Sequence, residues 1–185
     1  MLARLLAKRT DTNVLGIDCS TNSVAYALMN NGKLEDYGEI EFLGSDVYER
    51  LGYAYAMMHQ ASSTFERANY VAIEKTITVK SPATAVKMGY VAGVVMGSIL
   101  FHTTAVVKEV APISWQSAIG NKSLSVAEKA QIRKDNPGHK PSWYQNKGRL
   151  LRKQRTIDWA QKTFGIIITS DNVADAIGIA WFASQ

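Results

Sequence analysis

Residues 14–29 read VLGIDCSTNSVAYALM, an apolar run with one carboxylate, Asp18, set inside it and small hydroxyl residues behind it. An ionised carboxylate within a strand is costly unless something compensates its charge. Asp18 is therefore either a strand-end residue satisfied by turn N–H groups or a metal ligand, and a metal site requires further acids elsewhere. Working outward, VLGID and SVAYALM read as strands, Asn30-Asn31-Gly32 as a hairpin turn, and YGEIEF as a third, alternating strand. Ser45 or Asp46 then opens a helix expected to run to about Ala68, with Val47, Leu51, Ala54, Met58 and Phe65 on one side.

YVAIEKT, Tyr70 to Thr76, reads as a short apolar strand. Ser81 and Pro82 suit the cap and first position of a helix running through MGYVAGVVMGSILF, Met88 to Phe101. That uncharged run is shorter than the roughly 20 residues of a membrane span, and a buried core helix is expected. Gly89, Gly93 and Gly97 recur every four residues on it. Each costs about 1 kcal/mol relative to Ala in a helix interior, so close approach of another backbone is expected there, from the sheet or from a second subunit. AVVKEVAP reads as a strand ended by Pro112, and ISWQSAIG as a short helix. The polar stretch from Asn121 to Asn146 reads as a flexible segment. GRLLRKQRTIDWAQKTFG is helical, with Leu150, Ile157, Ala160 and Phe164 on one face and Gly165 as its stop. IIIT is a short strand or buried link, and SDNVADAIGIAWFAS a final helix. Strands alternating with helices after a meander predict an α/β fold: a mixed sheet with helices on its faces.

With 185 residues, 46% of them hydrophobic, the chain suits one domain, expected over 13–185 after a basic leader over 1–12. Cys19 stands alone, and His59, His102 and His139 lie in unrelated contexts, which excludes an internal disulfide and a zinc motif. A reducing compartment is expected: the cytoplasm (a host's, if the source is viral) or an organelle matrix. The net charge of +5 is local. Eight Lys and Arg against Asp135 alone fall between Gln131 and Arg155, leaving 13 cations against 15 acids elsewhere. Such a cluster is either a solvated helix face or the footprint of a polyanion.

Three places repeat the oddity of Asp18. Glu74 ends the second apolar strand, and Asp171 and Asp175 lie one turn apart on the last helix, Asp175 among Ala, Ile and Gly. Singly, each has a plain structural explanation: a strand-end bond, a first-turn acid, a buried ion pair. Four acids gathered at one edge would repel one another unless a divalent cation intervened. Carboxylate oxygens without Cys or His suit Mg²⁺ or Mn²⁺, and two such ions about 3.5–4 Å apart are a recurring apparatus for phosphodiester hydrolysis.

VLGIDCSTNSVAYAL, VAIEKTITVKSPATAVKMGYVAGVV, APISWQSAIG, LLRKQRTIDWA and DNVADAIGIA, in that order, resemble the RuvC-type Holliday-junction resolvases of the RNase H-like superfamily. The resemblance covers Val14 to Ala183 and is closest to phage or organelle versions. It implies a five-stranded mixed sheet, three antiparallel strands then two parallel, with helices on both faces. It also implies a homodimeric endonuclease that uses two Mg²⁺ per site and nicks four-way or branched DNA symmetrically. Asp18, Glu74 and Asp175 match the family's catalytic, metal-binding acids. The fourth falls at Asp171 or Asn172, of which Asp171 is chosen because a spacing of four keeps it on the helix face of Asp175. Lys153 matches a functional lysine, and Lys147, Arg149, Arg152, Lys153 and Arg155 are the expected DNA-binding set. The glycine stripe lies where family members pack across the dimer two-fold. The basic insertion at about 121–148 carries Trp143 and Tyr144, which either stack on unpaired bases or cover a small satellite core. Two other readings remain: a non-catalytic junction-binding protein of the same fold, and an ATP-binding fragment like the actins and sugar kinases, whose first phosphate motif GIDCSTNSVAYAL also resembles.

Overall fold

The structure is a computed structural model and describes residues 12–75 and 81–185. Residues 1–11 of the expected leader, and Thr76 at the end of the expected second apolar strand, lie outside the described residues. β1 (Asn13–Cys19), β2 (Ser23–Asn30) and β3 (Lys33–Glu41) form an antiparallel meander. β4 (Tyr70–Glu74) runs parallel to β1 and β5 (Val106–Val110) parallel to β4, giving the order β3-β2-β1-β4-β5. The β2–β3 hairpin turns at Asn31 and Gly32, with φ of 49° and 79°, the left-handed pair that such two-residue loops demand.

Alternation along the strands builds two cores. Leu15, Ile17, Val24, Leu28 and Val71 face one layer, made by α1 (Val47–Gln60), α2 (Ser62–Phe65) and α3 (Pro82–His102). Val14, Ala25, Ala27, Met29 and Ala72 face the other, made by α4 (Pro112–Ala118), α6 (Pro141–Phe164) and α7 (Asp171–Ala183). α5 (Val126–Asp135) packs against α6 and buries no residue. Helices thus cover both faces.

Several elements differ from expectation. Of the two expected caps for α1 it is Asp46 that serves, accepting from the N–H groups of Tyr48 and Glu49 at 2.7 and 3.0 Å, but the helix is shorter than expected. The helix breaks at Ala61, ahead of Ser62-Ser63-Thr64, residues whose hydroxyls compete for local backbone bonds. α3 is not buried all round: Val91, Val95, Ser98 and Ile99 form its covered stripe, while Phe101 is 77% exposed and Val86, Tyr90 and Leu100 also face outward. By length and composition alone this helix is apolar enough to cross a membrane; in the fold its covered stripe seals the sheet. Among the described residues, nothing beyond the helix's own nearby chain lies within 4 Å of where a Cβ would stand on Gly89, Gly93 or Gly97, so the expected close backbone does not come from the described sheet.

The insertion is helical. α5 opens with a reciprocal cap, Ser125 Oγ accepting from Glu128 N–H while the Glu128 carboxylate accepts from Ser125 N–H. α6 begins at Pro141, well before the expected start, with Pro at its first position. Its covered residues are Gly148, Thr156, Ile157 and Ala160, and Leu150, expected on the covered face, is 48% exposed. Gly165 ends the helix in the left-handed conformation, φ 66°. IIIT is a link with Ile168 buried and Ile167 exposed.

Candidate active site

Parallel pairing of Ile17 with Ile73 sets Asp18 beside Glu74 at the carboxyl ends of adjacent strands, the end at which open α/β sheets place their ligands. Antiparallel register continues the row, Asp18 opposite Ala25 and Ala25 opposite Glu39. Asp18 has the parity of Val14 and Glu74 that of Ala72, so both look toward α7. α7 lies directly on β1: a Cβ on Gly16 would stand 2.4 Å from the Ala176 carbonyl oxygen and 2.5 Å from the Ala180 nitrogen. No side chain fits there, and the contact brings Asp175, the neighbour of Ala176, to the Asp18 end of the strand.

The electrostatics follow from this crowding. Burial pushes Asp18 up to about 7, Glu74 and Glu39 push further, and Lys153 pulls back. Burial, then Asp18 and Glu74, push Asp175 up to about 7 against Lys153 and the Thr156 hydroxyl. Glu74 is likewise raised by burial, opposed by its hydrogen bond from Trp115. Glu39 also feels burial upward, but bonds from Ser170, Asn172 and Ser23, then Lys153, hold it below the ordinary range. Ser170 Oγ and Asn172 Nδ2 donate to its two carboxylate oxygens at 2.6 and 2.7 Å. The Cys19 thiol is pushed up to about 12, by burial and then by Asp18, so it supplies no thiolate near neutral pH.

A supporting shell fixes these acids. Trp115, fully buried, donates its indole N–H to Glu74 Oε2 at 2.8 Å. Its ring reaches this position because residue 178 is Gly: a Cβ there would meet Trp115 Cζ3 at 2.7 Å. Buried Asn121 donates to Thr156 Oγ1 at 2.9 Å and to the Arg152 carbonyl at 2.8 Å, and the Thr156 hydroxyl in turn lowers Asp175. Glu39, Trp115, Asn121 and Thr156 are missed by sequence reasoning. The alternation of YGEIEF contains a signal for Glu39, whose side chain falls on the sheet face that α7 covers; for the other three there is none.

The structure joins Asp18, Glu74, Asp175 and Lys153 in one electrostatic group. Asp171 faces Lys153, with which it forms an ion pair, and Asn172 turns to Glu39. No three His, Cys, Asp or Glu side chains among the described residues are grouped closely enough to hold a metal ion together. The donor set nonetheless fits a hard divalent cation: three half-buried carboxylates raised chiefly by burial, with neighbouring acids adding repulsion, are relieved by added positive charge. Of the expected DNA-binding residues, Lys147 and Arg149 are exposed on α6. Arg152 donates to Gln116 Oε1 and Arg155 pairs with Glu128, so both also clamp α6 to its neighbours. Trp143 stacks on His139, centroids 4.0 Å apart, and Tyr144 Oη donates to the Asn136 carbonyl at 2.6 Å, a satellite cluster within the insertion.

The 3-2-1-4-5 mixed sheet with helices on both faces, bearing acids on β1, β4 and the last helix, is an RNase H-like fold. Residues 14–134, roughly two thirds of the chain, match the family described as crossover junction endodeoxyribonuclease RuvC, and the protein belongs to that family. The matched span contains Asp18 and Glu74 and ends within α5. Among solved structures the chain is similar to Thermus thermophilus RuvC in complex with a Holliday junction substrate: TM-score 0.64, 16% identity, 92% of this chain and 91% of that one covered. A second Thermus thermophilus RuvC structure gives 0.63, 16%, 92% and 92%. The yeast mitochondrial Holliday junction resolvase Ydc2 gives 0.48, 14%, 94% and 78%. No curated protein matches the sequence.

Proposed function

We propose that this RuvC-family protein is a divalent-metal-dependent resolvase that nicks four-way DNA through Asp18, Glu74 and Asp175, acting as a homodimer. The observation that carries the reading is the convergence of these acids, from β1, β4 and α7, at one sheet end. Asp18, Glu74 and Asp175 would hold Mg²⁺ or Mn²⁺, which when bound lowers the pKa of the attacking water and stabilises the leaving oxyanion. Asp171 is the candidate fourth donor, reached by giving up its pair with Lys153. Trp115 and Thr156 hold Glu74 and Asp175 in place before substrate arrives, and Glu39 anchors the start of α7 through Ser170 and Asn172. Lys153, beside the acids, is suited to a phosphate oxygen, while Lys147 and Arg149 offer charge to the flanking backbone. The outward face of α3, with Val86, Tyr90, Leu100 and Phe101 around an open glycine stripe, supports pairing with a second copy.

The test is a four-way junction with each strand labelled in turn, incubated with Mg²⁺. Wild type is expected to introduce symmetric nicks, and Asp18→Asn to bind the junction with near-normal affinity without nicking it. Cleavage by that variant removes the mechanism; binding without cleavage by wild type leaves a junction-binding protein.

A further inference from the structure

α5 and α6 enclose a groove of about 380 Å³ that takes no part in the acid cluster. Four cations line it, Lys129, Arg133, Arg149 and Arg152, and no acid among the described residues does. Leu124, Ile132 and Tyr144 make an apolar wall. The hydroxyl of Tyr144 is tied to the Asn136 carbonyl, which fixes the ring as a wall, with the Arg133 guanidinium 6.0 Å from its centroid. Arg152 Nε is buried without a hydrogen-bond partner among the described residues, and such a group costs free energy until an acceptor reaches it.

Each half of the lining narrows the ligand. A cleft with cations and no acids concentrates anions, and guanidinium groups match phosphate oxygens. A bare phosphate would have no use for the apolar wall, and a hydrophobic peptide none for four cations. The volume lies in the range of pockets that take small organic ligands. We infer that the α5–α6 groove binds a single nucleotide unit, its phosphate toward Arg133, Arg149 and Arg152 and its base against Leu124, Ile132 and Tyr144. The nucleotide belongs to an unpaired position of a DNA strand or arrives free. Only the first source rests on the resolvase reading, in which α6 runs on from the groove to Lys153 beside the acids.

Titration calorimetry on the full chain, with thymidine 5′-monophosphate and with inorganic phosphate, tests the site. The nucleotide is expected to bind at least tenfold more tightly than phosphate. Two variants, Lys129→Gln/Arg133→Gln and separately Ser123→Trp, which fills the groove from an exposed loop position, are each expected to weaken it tenfold or more. A four-way junction with one unpaired thymidine at the branch is then compared with a fully paired one. Tighter binding of the unpaired junction by wild type, lost in both variants, assigns the site to a DNA strand; nucleotide binding without that preference assigns it to a free nucleotide. Equal affinity for nucleotide and phosphate, or wild-type nucleotide affinity in both variants, overturns the inference. Nicking of the paired junction, followed in parallel, reports on the resolvase reading alone: its absence from wild type leaves the groove's affinity standing.

Discussion

Trp115 shows how much of the centre depends on residues that touch no substrate. Its indole N–H lowers Glu74 against the burial that raises it. Trp115→Phe keeps an aromatic ring and removes the donor. The expected result is a stability loss of about 1–3 kcal/mol for an acceptor left without its partner, read by urea denaturation. Glu74 then rises further, so the acid limb of the cleavage profile moves to higher pH; a pure packing role would leave that limb where it was. Asp18, Glu74 and Asp175 are legible in the sequence because each is a lone carboxylate in an apolar setting. Trp115 is not, because a buried Trp after a proline is ordinary until its nitrogen is seen to have a destination. Nor is the pairing of Asp171 with Lys153, since the two sit on different helices and meet only through packing.

Among the elements, those with one apolar face are readable and the others are not. The meander, its Asn31-Gly32 turn, β4, β5 and α7 follow from alternation and periodicity. α5 has no buried residue and hence no periodic signal; it is held by its cap, by a Gln131–Asp135 bond of 2.6 Å and by the pair between Glu128 and Arg155. α3 poses the opposite problem, since its apolar surface exceeds what the sheet can cover. Gly93→Leu examines what the excess is for. With nothing among the described residues within 4 Å of the missing Cβ, the substitution gains about 0.8 kcal/mol of helix propensity in an isolated protomer. Across a closely packed two-fold the same side chain blocks approach. Sedimentation velocity is expected to show a wild-type dimer and a monomeric, no less stable Gly93→Leu protein; a wild-type monomer would remove the dimer from the proposal.

At the scale of the molecule, the acid cluster links stability to pH and to metal. Asp18 and Asp175, raised to about 7, bind more protons folded than unfolded between the ordinary carboxylate range and neutrality. Their contribution is therefore full below about pH 4 and is lost as pH rises through 7. Glu39 has the opposite sign, contributing above the ordinary range and losing its contribution only in acid. Metal-free protein is thus expected to melt at lower temperature at pH 8 than at pH 5. Mg²⁺ is expected to restore the loss at pH 8 and do little at pH 5, at about 2–4 °C per kcal/mol for a chain of this size. Equal melting at the two pH values, or equal Mg²⁺ shifts, would show that the acids are not frustrated. Gly16 carries a consequence of another kind. It seats α7 on β1, so these two elements, far apart in the sequence, must meet before the acid cluster exists. Translation delivers the cationic stretch of α6 ahead of α7, so a chain that stops before α7 carries that stretch but lacks Asp175 and the α7 share of the core.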